Sequence, residues 1–378
     1  MPRGIGRKEA TLADVAAAAG LSQAAVSLAL RGKPGVSEAT RARVIEVARG
    51  LSYRPIANDS RHHHKPLTVT LVIRTLHGNA PDANRFYGPV LAGIEESCRR
   101  RHTRLMLAIM PVDQYNYPLE MPRGVNDNSS DGLIFVGFHF TPTTSHMLQG
   151  APPAVLVDAY SDDAGFDSVE TDNISGARTA VQHFIDRGHR EIAILGTDPK
   201  SFPSILQRRL GYEQAIAAAG LNTHYIDAPY FEHELAAAAA IDYLRANPEV
   251  TAIFCANDLV GVTFIQAARE AGISIPNQVS VIGFDDIDLA GFITPPLTTM
   301  AVDKTGMGRL AVTLLLHRLE FEDESVTSTL VRPLLIERQS VRTLGVSVRP
   351  DVIAPASEPA VGPDPRPTLA AEPVGRSH

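Results

Sequence analysis

The sequence predicts an all-α headpiece built around a helix-turn-helix, followed by a larger two-lobed α/β core. Three observations lead there. The first sixty or so residues hold only helical periodicity, in three short segments. From about Pro66 strand-like apolar runs alternate with amphipathic helical stripes, in two similar sets. Charge divides along the same line: through Lys65 eleven Lys or Arg face five Asp or Glu, about +6, so the remainder carries about −13 to reach the overall −7.

The headpiece elements follow from spacing. In "LADVAAAAGLSQAAVSLALRG", Leu12, Val15, Ala16 and Ala19 share one helical face, Gly20 permits a positive φ, and Ser22 caps a second helix carrying Ala25, Val26, Leu28, Ala29 and Leu30. That is helix, tight turn, helix. A third helix in "SEATRARVIEVARGLSYRP" opens at the N-cap Ser37, presents Val44, Val47, Ala48 and Leu51, and stops at Gly50 and Pro55. A small helical bundle without a ligand has the same periodicity. The basic charge tips the reading toward DNA, because phosphate neutralisation supplies much of the affinity while an acidic body avoids the duplex.

The core elements come in order. "LTVTLVIR" reads as a buried strand, "FYGPVLAGIEESCRRRH" as a helix, and "TRLMLAIM", "DGLIFVG" and "PAVLVDA" as strands. The second set begins with "NISGARTAVQHFIDRGH", a helix capped by Asn173 or Ser175, then the strand "REIAILG" and the helices "ILQRRLGYEQAIAAAG" and "ELAAAAAIDYLRANP". It ends with the strand "VTAIFCAN", the helix "DLVGVTFIQAAREAG", which Asn257 or Asp258 can cap with Asp258 the expected one, and the strand "VSVIGFDD". Two such halves in tandem imply a cleft between them.

Composition excludes several classes. A chain of 378 residues with 44% hydrophobic content is long enough for two or three compact domains. The two cysteines, Cys98 and Cys255, form no C-x-x-C pair, and sparse thiols suit a reducing cytoplasm. The N-terminus has no apolar signal segment and no run approaches a membrane span, so neither export nor a membrane is expected. No G-x-S-x-G, phosphate-binding glycine loop or dinucleotide fingerprint occurs, and "HELAA" from His233 lacks the second histidine of a metalloprotease pair. An enzyme is therefore not expected, nor a cofactor or bound metal.

The string from Thr11 to Pro55 resembles the headpiece of the lac and galactose repressor (LacI/GalR) family of bacterial transcriptional regulators, with T-x-x-D-V-A-x-x-A-G-x-S, then V-S-x-x-L, V-S-x-x-T-R-x-x-V and L-x-Y-x-P in register. The likeness implies phosphate contacts from Thr11, Ser22, Ser27, Ser37 and Thr40, with Tyr53 also at the DNA. It further implies base readout from Gln23, Ala24 and Leu28. Leu28 stands where many members have Arg, so readout leans on Gln23, thymine methyl contacts and Arg31. Members usually continue with a hinge helix whose leucine wedges into the minor groove; here the text is "IANDSRHHHKP" with His62 in that place, which reads as a solvated linker.

The core landmarks "FYGPVLAGIEE", "DNISGARTAVQHFIDRGHREIAILG", "AIFCANDLVGV", "VSVIGFDD" and "PPLTTM" extend the resemblance to about Arg342. The family core is similar to type I periplasmic sugar-binding proteins, which implies a chain crossing between lobes three times and a ligand at strand C-terminal ends. Arg208, Asn257 and Asp285 match family positions that hydrogen-bond an effector, with Asp158 a fourth member and Phe86 and Tyr87 placed to stack on a sugar ring. A helix-capping or loop carboxylate for Asp285, a helix cap for Asn257, a surface position for Arg208 and plain core packing for Phe86 are the competing readings.

The expected organisation is a headpiece over 1–55, an atypical hinge over 56–66, an effector-binding and dimerisation core over 67–342, and a disordered Pro/Ala-rich tail over 343–378. The expected protein is a cytoplasmic homodimer that binds operator DNA as a repressor and responds to a small molecule, a sugar being the leading class.

Overall fold

The computed structural model describes residues 11–30, 35–51, 66–76, 85–122, 125, 129–163 and 165–345. Arg31, Tyr53, the linker histidines His62 to His64 and the tail beyond Gly345 lie outside the described residues. The chain divides into two compact units at Leu67/Thr68.

Among the described residues the first unit holds three helices: α1 (Leu12–Ala19), α2 (Gln23–Leu30) and α3 (Glu38–Gly50). The second and third begin at the expected caps, Ser22 and Ser37, and the first at Thr11, a cap not expected from the sequence. The Thr11 hydroxyl accepts from the Asp14 N–H at 3.3 Å while the Asp14 carboxylate accepts from the Thr11 N–H at 2.8 Å, a reciprocal capping box. Ser22 accepts from the Ala25 N–H and Ser37 from the Thr40 N–H, both at 3.2 Å. Gly20, at φ 65°, ends α1 in the left-handed region that a side chain would disfavour. Val15, Ala19, Val26, Ala29, Val44 and Ala48 fill the shared core. Leu51, expected in that stripe, is exposed instead, because it sits one residue past the last turn of α3.

The second unit has two lobes, each with a six-stranded sheet. The first lobe orders its strands β13 (Ser328–Val331), β7 (Asp167–Thr171), β5 (Ala154–Val157), β3 (Gly132–Val136), β1 (Thr68–Leu76) and β2 (Arg104–Val112). All of these pairs are parallel. The second lobe orders β14 (Leu334–Ile336), β12 (Thr298–Ala301), β11 (Ser280–Asp285), β10 (Ala252–Cys255), β8 (Ile192–Leu195) and β9 (His224–Ile226), with only β14 antiparallel. A short pair, β4 (His139–Phe140) and β6 (Tyr160–Ser161), and the turn helix α5 (Pro142–Ser145) complete the first lobe.

Helices α4 (Tyr87–Arg100) and α11 (Lys304–Glu320) pack together in the first lobe. The second lobe holds α6 (Asn173–Asp186), α7 (Pro203–Ala218), α8 (His233–Ala246), α9 (Asp258–Glu270) and α10 (Asp288–Phe292). The chain passes between lobes three times: from β7 to α6, from β12 to α11, and from β13 to β14. Residues at the C-terminal ends of β5 in the first lobe and β11 in the second, Asp158 and Asp285, line one cleft. Close packing of α4 on α11 depends on glycine, since a Cβ on Gly93 would lie 2.1 Å from the Thr305 carbonyl oxygen.

Two caps differ from expectation. The cap of α6 is Asp172, whose carboxylate accepts from the Ser175 N–H at 3.1 Å, rather than Asn173 or Ser175. The cap of α9 is Asn257, accepting from the Val260 N–H at 2.9 Å, which leaves Asp258 as the first helical residue, fully buried. In both places two adjacent polar residues could have capped, and the one that does is the residue just before the first helical position, at φ −71° ψ 71° for Asp172 and φ −150° ψ 171° for Asn257.

Candidate functional site

In the first unit, Ser22, Gln23, Ala24, Ser27 and Leu28 share one helix and its start, with Gln23, Ala24 and Leu28 exposed while Val26 and Ala29 are buried. Thr11, Ser37 and Thr40 stand at the N-terminal ends of α1 and α3, where all three take part in the helix caps.

In the second unit all six expected effector residues meet in one interlobe cleft of about 440 Å³. Strand ends place the acids. Asp158 follows β5 at φ 42° and Asp285 ends β11 at φ 112°, both in the left-handed region. Asp158 accepts from the Tyr87 hydroxyl at 2.8 Å. Burial pushes its carboxyl up to about 7, against the pull of that hydrogen bond and of the Arg208 charge. Burial likewise raises Tyr87 and Tyr160 well above the usual tyrosine value.

Arg208 is not a surface residue. Only 3% exposed, it donates through Nε to Asn173 Oδ1 at 2.9 Å, through Nη1 to the Ala256 carbonyl at 2.7 Å and through Nη2 to Asp285 Oδ1 at 2.9 Å. Its guanidinium also lies 3.9 Å from the centre of the Phe284 ring. Asp285 is pushed up by burial and pulled back by Arg208 and Lys304. Lys304, at the start of α11 in the first lobe, donates to the main-chain carbonyls of Asp285 and Asp286 in the second. Asp258 braces the same turn from below, accepting from the Ile287 N–H at 2.8 Å and from the Thr299 hydroxyl. Asp285 is therefore a bonded part of the cleft wall, not a helix cap.

Phe86 lies at the cleft wall and also in the first-lobe core, edge-on to Tyr87 with centroids 5.1 Å apart, so its two readings coexist. Asn257 lines the cleft through the amide left over from capping, its Nδ2 reaching the Tyr230 carbonyl at 3.5 Å.

Sequence reasoning missed Arg74, Asn116, Phe202, Tyr230 and His233, which also line the cleft. Arg74 donates to Asn116 Oδ1 at 2.7 Å, and Asn116 in turn donates to the Tyr230 hydroxyl at 3.3 Å. Arg74 stands near the C-terminal end of β1, and the rule that ligands bind at strand C-termini could have found it. Tyr230 and Phe202 sit on connections with no motif around them. Their place in the cleft depends on the whole lobe.

Among the described residues, no group of three or more His, Cys, Asp or Glu could hold a metal ion, and no single helix is long and apolar enough to cross a membrane. Cys98 and Cys255 are unpaired and buried, and burial pushes the Cys98 thiol up to about 11.

The model of the bacterial regulatory proteins of the lacI family matches residues 11–56, and that of the periplasmic binding protein-like domain matches residues 181–341. The ribose operon repressor of Haemophilus influenzae is 30% identical over 343 residues, which span 89% of this chain and 99% of that protein. The transcriptional repressor PurR of Photobacterium profundum is 31% identical over 344 residues, spanning 89% and 99%. Among solved structures, the regulator CelR in complex with cellobiose superposes with a TM-score of 0.61 at 28% identity, covering 88% of this chain and 99% of that one. The lac repressor dimer bound to operator and an anti-inducer has a TM-score of 0.61 at 21% identity, covering 89% and 100%, and so shares the fold.

Proposed function

The chain belongs to the lacI family of bacterial regulatory proteins and is a DNA-binding transcriptional regulator; from that premise we propose that it is a homodimeric, cytoplasmic repressor whose operator affinity is set by a hydroxyl-rich small molecule, a sugar, held between the two lobes. The observation that carries the proposal is the convergence on one cleft of Asp158 from the first lobe with Asp285 and Arg208 from the second, beside Phe86 and Tyr87. A sugar hydroxyl both donates and accepts, so two carboxylates, a guanidinium and an amide can fix its orientation. An aromatic ring covers the apolar face of a pyranose or furanose. The names of the relatives, a ribose operon repressor and a cellobiose-bound regulator among them, point to the same ligand class.

Because the ligand touches both lobes, its binding changes their relative position, and Lys304 carries that change from the Asp285 turn into α11. Operator and effector then alter each other's affinity by equal factors. The proposed boundaries are a headpiece over 1–55, a hinge over 56–66, the core over 67–342 and a tail over 343–378. In the headpiece, Thr11, Ser22, Ser27, Ser37, Thr40 and Tyr53 are assigned to phosphates and Gln23, Ala24, Leu28 and Arg31 to bases. The relatives are repressors, and the cleft is assigned to binding rather than catalysis.

The test is a thermal-shift screen of the full chain against pentoses, hexoses, disaccharides and nucleosides, followed by operator titration with and without each hit. A true effector raises the melting temperature, since it binds only the folded state, and shifts operator affinity. A ligand that stabilises the chain and leaves DNA binding unmoved refutes the regulatory coupling.

A further inference from the structure

The solvent face of α2 carries no charge at all. Gln23, Ser27, Ala24 and Leu28 fall within an arc of roughly 140° on the helix, at 3.6 residues per turn, and the buried Val26 and Ala29 occupy the opposite side. The exposed arc thus offers one amide, one hydroxyl and two hydrocarbon groups. Leu28 is 37% exposed on a helix of eight residues. The unit that holds it is basic, with eleven Lys or Arg against five Asp or Glu through Lys65, so a polyanion rather than an apolar protein surface suits it as partner.

Base edges in the major groove differ in what they ask of such a face. Guanine shows two acceptors, which Arg or Lys satisfies best with paired donors, and α2 carries neither residue. The Gln23 amide pairs one acceptor with one donor and fits the N6 amine and N7 of adenine; against guanine its carbonyl would meet another acceptor. Thymine alone presents a methyl group. Cytosine places its N4 amine where Leu28 or Ala24 could only desolvate it without a partner. Resting on the reading that this unit binds duplex DNA, we infer that the operator half-site presents A·T pairs to α2, with adenine facing Gln23 and thymine methyls facing Ala24 and Leu28.

The experiment is selection of bound duplexes by the full chain, at low salt, from a pool randomised over a palindromic site, with sequencing. It is repeated for Gln23→Ala, Leu28→Ala and Leu28→Arg. The base pairs governed by α2 are those whose preference changes in either alanine variant. In wild-type sites these pairs are A·T, each favoured roughly ten-fold, and Leu28→Arg recruits guanine at the pair Leu28 governs. The slope of affinity against salt stays unchanged in the alanine variants, since no phosphate contact is lost. G·C at those pairs in wild-type sites overturns the inference, as does an unchanged preference at every position in both alanine variants. A wild-type chain that enriches no sequence overturns the regulator reading itself, an outcome distinct from either of these because the variants then have no preference to alter.

Discussion

Arg208 and Asp285 form a buried ion pair, Nη2 to Oδ1 at 2.9 Å, at the floor of the interlobe cleft. The pair does two things at once. It orients the Asp285 carboxylate toward the cleft, and through its bonds to Asn173 and the Ala256 carbonyl it ties α6, α7 and the end of β10 together.

Arg208→Ala leaves the Asp285 charge buried without its partner, which costs about 3–5 kcal/mol. Urea denaturation of the variant is expected to show that loss, and adding Asp285→Asn on top of it is expected to restore a large part. Strictly additive losses in the double variant would mean that the two side chains do not stabilise each other. Asp285→Asn alone keeps the shape of the cleft and weakens binding of an effector hydroxyl by about 2 kcal/mol through loss of a charge-assisted hydrogen bond.

The Asp158 carboxyl, pushed from an ordinary value of 3.8 up to about 7, makes stability depend on pH. The folded state holds this proton more tightly than the unfolded chain. Its contribution is therefore complete below about pH 4 and is lost as pH rises through 7, on the order of a few kcal/mol. Denaturation midpoints at pH 5 and pH 8 are expected to differ less in Asp158→Asn than in the wild type. Tyr87→Phe removes the hydrogen bond that holds the carboxyl down and moves the decline to higher pH. Identical pH slopes in wild type and Asp158→Asn would show that this carboxyl titrates normally.

Deleting residues 1–65 is expected to abolish operator binding while leaving effector binding to the remaining core intact. Ser37→Ala, which removes the cap of α3, is expected to destabilise the first unit by about 1 kcal/mol. Both are read by anisotropy with labelled operator and by thermal melts. Operator affinity that survives the deletion would place the DNA-binding surface elsewhere.

Leu107 and Ile109 project from the same face of the edge strand β2 and are 61% and 43% exposed. An apolar pair on a sheet edge is an association surface or an aggregation hazard. With a dimer proposed, Leu107→Glu is expected to shift sedimentation from dimer toward monomer without lowering the thermal midpoint of the monomer. A variant that sediments as wild type would move the dimer contact away from β2.

What the sequence determined by itself was whatever depends on neighbours along the chain. The helix-turn-helix was legible because Gly20, Ser22 and Ser37 act within three or four residues, and the alternation of strands and helices because burial has a period. Of the acids of the cleft, Asp158 was legible as the end of an apolar strand, while Asp285 was reached through the family resemblance. Local spacing misassigned the caps at Asn173 and Asp258, where two adjacent polar residues compete for the position. The partners were decided only by the tertiary structure. That Arg208 meets Asp285 across 77 positions, that Tyr87 meets Asp158 across 71, and that Lys304 reaches from one lobe to the other follow from three chain crossings and two sheet orders. Such contacts leave no periodic trace, because they depend on where strands end in space and not on which residue comes next.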